Sequence, residues 1–61
     1  MDTKRVRIAL IERDQRLVDL HRVTGISYNR LVRMLNGYCE PRPEEVDSIA
    51  SFFGIPSEKL K

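Results

Sequence analysis

Residues 24–37 read TGISYNRLVRMLNG. The stretch opens with Gly25 at its second position and closes on Asn36-Gly37, and the residues between carry helical periodicity. A step of about 100° per residue from Tyr28 gathers Leu31, Met34 and Leu35 on one side. Asn29, Arg33 and Asn36 gather directly opposite. Tyr28 and Val32 flank this polar side on one edge, and Arg30 flanks it on the other. Three apolar side chains on one face must meet a core, so the polar face must point away from it. Ser27 suits the cap of this helix, because its hydroxyl can accept from a first-turn amide.

The same punctuation organises the rest of the chain. Gly25 suits the left-handed conformation that follows a helix end. It predicts a second helix from Gln15 or Arg16 to Val23, with Asp14 as its cap and Leu17, Val18 and Leu20 as its apolar side. A first helix is predicted from about Thr3 to Arg13, with Val6, Ala9 and Leu10 in one stripe and Ile8 and Ile11 off it. The run VRIALI at 6–11 could by itself be a short strand. Its Lys, Arg and Glu flanks, free of turn residues, favour helix. Downstream, Pro43 suits the first position of a helix, and Glu44, Glu45 and Asp47 suit its positive end. Val46, Ile49, Ala50 and Phe53 follow at helical spacing as a core stripe. Gly54-Ile55-Pro56 breaks that helix, and Ser57 can cap a last turn that anchors Leu60. The expected fold is all-α: a compact bundle of about five short helices forming a single domain over residues 1–61.

At 61 residues one domain is the ceiling. A chain of this size buries only about 60% of its unfolded surface. That leaves too little chain to wall a deep substrate cavity. No paired carboxylates, triad or metal set is visible, so an enzyme is not expected, and neither a cofactor nor a small-molecule substrate is implied. The formal net charge is +2. Residues 1–39 hold eight Lys/Arg against four Asp/Glu, and residues 40–61 hold three against five. Such a division fits one face for a polyanion, and it also fits ordinary surface charge. A single cysteine, Cys39, excludes an internal disulfide and suits a reducing, cytoplasmic setting. The longest apolar run is Ile8 to Ile11, whereas a membrane span needs about 20 residues.

The second helix, a tight glycine turn and the third helix make a helix-turn-helix pattern over about residues 16–36. Contacts among Leu20, Ile26, Leu31 and Met34 would brace the third helix and leave its far side free. A major groove about 12 Å wide admits one helix, where Asn can pair with adenine and Arg with guanine. Asn29 and Arg33 stand one turn apart, so they could address neighbouring base pairs.

The segment LVDLHRVTGISYNRLVRMLNG, followed by PEEVDSIASFFGIPSEKL, resembles the Cro/C-repressor helix-turn-helix family, the lambda-repressor-like DNA-binding domains. The resemblance covers roughly residues 6 to 60. It rests on Leu20, Gly25, Ile26, Leu31, Met34 and Asn36-Gly37, then on Pro43, Ile49-Ala50, Phe53-Gly54 and Leu60, taken as an ordered set. It implies a five-helix domain that binds operator DNA, usually as a dimer. Ser27, Tyr28, Asn29 and Arg33 fall where the family reads bases. Arg16 and Arg42 fall where backbone contacts are common. Arg30 is added from its angular position, within reach of a phosphate. Tyr28 has two readings, a ring on a thymine methyl or sugar, or a cover for the helix's own first turn.

Four positions depart from the family pattern. His21 stands where a small residue, often alanine, follows the second helix's leucine, which predicts a wider or altered angle between the two helices. Leu17 stands where a phosphate-binding glutamine is usual. Arg16 replaces the usual Ser/Thr cap, and Gln15 the apolar residue before it. His21 itself is read as a partly buried structural histidine, with a pH-responsive group as the alternative; Cys39 as a chance thiol or packing residue; and Lys4, Arg5 and Arg7 as a solvated face, with an arm along phosphates as the alternative. Ile8, Ile11 and Phe52 are apolar residues at stripe edges, candidates for a dimer or partner contact.

The expectation is a sequence-specific double-stranded DNA-binding transcriptional regulator of the phage or mobile-element repressor type, homodimeric at least on its palindromic operator. The alternative is a protein-interaction module, such as an antitoxin-like domain, on the same scaffold.

Overall fold

The computed structural model describes residues 1–61. Four α-helices follow in order: α1 (Thr3–Glu12), α2 (Leu17–Thr24), α3 (Tyr28–Leu35) and α4 (Pro43–Phe53). A 3-10 turn over Ser57–Leu60 closes the chain in place of a fifth full helix. No strand forms, so the run at 6–11 is helical, as its flanks predict.

The helix ends follow from local chemistry. The Asp2 carboxylate accepts the Arg5 amide at 3.1 Å and caps α1. At the other end of α1 the structure departs from the expected cap of α2. Asp14 does not cap α2; it ends α1. Its φ is +53°. Its amide donates to the Ile11 carbonyl at 3.1 Å, and the Gln15 amide donates to Leu10 at 2.9 Å. This is the paired closure that a left-handed residue gives a helix terminus, and aspartate tolerates that conformation better than most residues. The start of α2 is held from within the helix instead, where the Asp19 carboxylate accepts the Arg16 amide at 2.8 Å. Glu45 does the same for the Arg42 amide at the head of α4, at 2.7 Å, behind Pro43 in the first position. Ser27 caps α3 as expected, accepting the Arg30 amide at 3.4 Å.

The predicted stripes converge on one core. Val6, Leu20, Leu31, Ile49 and Leu60 are completely buried, and Ala9, Leu10, Ile26, Met34, Leu35, Val46, Ala50 and Phe53 complete the cluster. Leu17 packs against it from the edge. α2 lies against both α3 and α4, while α1 packs on α3 and the closing turn. Two arginines tie distant ends together. Arg7 donates to the Leu35 carbonyl at 3.0 Å and to Asn36 Oδ1 at 3.1 Å, closing the end of α3. Arg13 donates to the Phe53 carbonyl at 3.1 Å and lies over the Phe53 ring, 5.1 Å from its centre. The result is that α3 is held along its apolar face by the core and at its end by α1.

Candidate nucleic-acid interface

The face of α3 opposite Leu31, Met34 and Leu35 is open. Ser27, Asn29, Arg33 and Asn36 are exposed, and Tyr28 is 46% exposed. Asn36 is tethered by Arg7. The side chains of Asn29 and Arg33 make no hydrogen bond within the chain, and Arg33 joins neither of its two ion pairs. Such polar groups keep their full bonding capacity for an outside partner. Arg33 also sits in the last turn of α3, where the helix dipole favours a cation.

The expected phosphate residues divide. Arg16 and Arg42 are exposed at the heads of α2 and α4, with neither guanidinium in an ion pair. Arg30 is different. Its Nε donates to Glu45 Oε2 at 2.6 Å, its Nη2 to Glu45 Oε1 at 2.8 Å, and Nη2 also reaches the Glu40 carbonyl at 3.4 Å. This two-pronged bond is the strong geometry for a guanidinium and a carboxylate. It raises the Arg30 pKa above its ordinary value. It also holds the Glu45 carboxyl at about 2, with help from the Arg42 amide and against the desolvation that would raise it. A phosphate could take Arg30 only by displacing Glu45, so its geometry favours bracing α3 against α4 over a free phosphate contact.

A recess of about 400 Å³ lies between the turn and the head of α4, lined in part by Gly25, Ser27, Arg30, Arg42, Glu44 and Glu45. Two carboxylates in its wall argue against an anion pocket there. The free cations stand at its rim and beyond it.

The turn itself carries residues whose part the sequence reading did not anticipate. Gly25 has φ +76°, and its amide donates to the His21 carbonyl at 2.9 Å. Thr24 Oγ1 donates to the Leu20 carbonyl at 2.7 Å and accepts the Ile26 amide at 3.3 Å. His21 is half-buried beside the turn, with Nδ1 2.6 Å from the Ile26 carbonyl. Leu20 and Leu31, before and after the turn, are both completely buried. A Thr immediately before the helix-ending glycine was the available signal, because such hydroxyls commonly bond back to the preceding turn. No local signal marks a contact from residue 21 to the carbonyl of residue 26.

The candidate partner residues lie on other elements. Ile8 and Ile11 of α1 are 46% and 78% exposed. Phe52 is half-buried against the core and packs edge-on against Phe53, with ring centres 5.2 Å apart. No helix of the chain is long and apolar enough to cross a membrane.

Residues 5–58 match the family model of the Cro/C1-type HTH DNA-binding domain. No curated protein and no solved structure matches the chain.

Proposed function

The chain belongs to the Cro/C1-type helix-turn-helix DNA-binding family, and from that premise we propose that it is a sequence-specific transcriptional regulator, of the repressor type found in phages and mobile elements. In this reading α3 enters the major groove. Ser27, Tyr28, Asn29 and Arg33 face base edges, and Arg16 and Arg42 bond phosphates on either side. Two copies occupy successive major grooves, about 34 Å apart, on a short imperfect palindrome. The observation that carries the reading is the free edge of α3, where Asn29 and Arg33 have no partner inside the chain.

The test is selection of bound duplexes from a random pool, joined to gel shifts of random duplex at two salt concentrations. A groove-binding regulator returns a symmetric site and shows weak, salt-sensitive binding to random duplex. Failure to enrich any sequence, together with no binding at low salt, overturns it.

The exposure of Ile8 and Ile11 favours one second reading, a partner-binding domain on the same scaffold. An open groove of about 480 Å³ runs beside Ile8, bounded by Arg5, Glu12 and Ile55. That reading predicts loss of the partner on Ile11→Asp with duplex binding unchanged.

A further inference from the structure

Both polar groups of the Ile26 backbone are held by side chains of α2. Thr24 Oγ1 takes the amide, and His21 Nδ1 takes the carbonyl at 2.6 Å. A carbonyl only accepts, so Nδ1 must carry the proton. His21 and Thr24 lie one helical turn apart, and together they clamp the buried residue from which α3 departs. The same imidazole meets the Tyr28 ring edge to face, with centroids 6.4 Å apart and planes at 86°. That spacing and angle are favourable for two aromatic rings. One side chain thus touches both the turn and the first residue of α3, while Tyr28 stays 46% exposed.

We propose that His21 is a positioning residue for base recognition: it fixes the turn and seats the Tyr28 ring, and so sets preference at the base pair Tyr28 meets without touching DNA. The proposal rests on the reading of α3 as the base-reading helix. Without the imidazole, the Ile26 carbonyl loses this donor and the Tyr28 ring loses the neighbour that favours one rotamer. Preference at one base pair then relaxes, while Asn29 and Arg33, farther along α3, keep theirs.

The test compares wild type, His21→Ala, His21→Asn and His21→Phe by selection from a random duplex pool, with thermal denaturation alongside. Asn places an amide nitrogen near the position of Nδ1 but has no ring. Phe keeps the ring but has no donor. In His21→Ala, discrimination at the Tyr28 base pair should fall from roughly tenfold to under about threefold, with other positions unchanged. His21→Phe should restore the preference more than the melting temperature, and His21→Asn should do the reverse. In wild type at alkaline pH, where a histidine ring is neutral, nitrogen-15 shifts should show the proton on Nδ1. Unchanged preference in His21→Ala, equal loss at every position, or a proton on Nε2 overturns the proposal. A wild type that selects no duplex overturns the reading of α3, and this inference with it.

Discussion

Arg30 and Glu45 meet through two hydrogen bonds of 2.6 and 2.8 Å, joining the outer edge of α3 to the first turn of α4. Glu45 simultaneously accepts the Arg42 amide at 2.7 Å. One carboxylate therefore fixes the orientation of α3, the head of α4 and the loop residue Arg42. Its pKa, lowered to about 2 chiefly by the Arg30 hydrogen bond, sets the pH dependence. A depressed folded-state value means that this stabilisation is fully present above the unfolded carboxyl value, about 4.3. It is lost as pH falls from there through about 2, because the unfolded chain then binds the proton first. Glu45→Gln should lower the melting temperature at pH 7, and the gap to wild type should narrow steadily below pH 4.5. A gap that stays constant down to pH 3 would show that the ionised pair contributes nothing.

The turn depends on a backbone conformation that only glycine adopts freely. A Cβ built on Gly25 meets nothing within 4 Å, so a side chain there costs conformational strain alone. With φ at +76°, Gly25→Ala should destabilise the domain by about 1–2 kcal/mol, and Gly25→Asn by less. Chemical denaturation of the three proteins checks both. An alanine variant as stable as wild type would mean that the turn re-forms with another geometry.

Arg33→Ala should cost roughly 1–3 kcal/mol on the preferred duplex and relax preference at one base pair. The domain should lose little melting temperature, because the exposed Arg33 side chain bonds nothing inside it and stabilises α3 only as a cation at the helix end. Equal weakening on all sequences would reassign Arg33 to the phosphate backbone.

Arg16→Ala and Arg42→Ala should each weaken binding on every sequence alike. Each should also reduce the slope of log affinity against log salt by about one. Binding isotherms over a salt series measure this, and an unchanged slope removes the residue from the phosphate contacts.

What the sequence revealed was whatever repeats or punctuates locally. The stripes Leu31–Met34–Leu35 and Val46–Ile49–Ala50–Phe53 are legible because burial follows the helical period, and all seven residues are buried. Ser27 and Pro43 are legible because a helix start has its own chemistry. Asp14 is ambiguous in the sequence because aspartate suits two neighbouring roles, a cap before a helix and a left-handed stop after one. Only the backbone, with φ +53° at that residue, decides between them. The remaining surprises are long-range. Arg7 reaches Leu35 across 28 residues, Arg13 reaches Phe53 across 40, and Arg30 reaches Glu45 across 15. Each follows from how helices dock, which no local spacing encodes. For the candidate site this cut in one direction. The open edge at Asn29 and Arg33 was legible from angular position, while the same angular reading left Arg30 looking free until α4 was packed beside it.

The most direct measurement is a titration of nitrogen-15-labelled protein with its selected duplex, followed residue by residue by nuclear magnetic resonance. Signals of Ser27, Tyr28, Asn29 and Arg33 should shift most, those of Arg16 and Arg42 should also move, and Ile8 and Ile11 should stay unmoved at sub-dimeric protein concentration. Shifts confined to α1, with the α3 edge silent, would contradict the assignment of that edge to the groove.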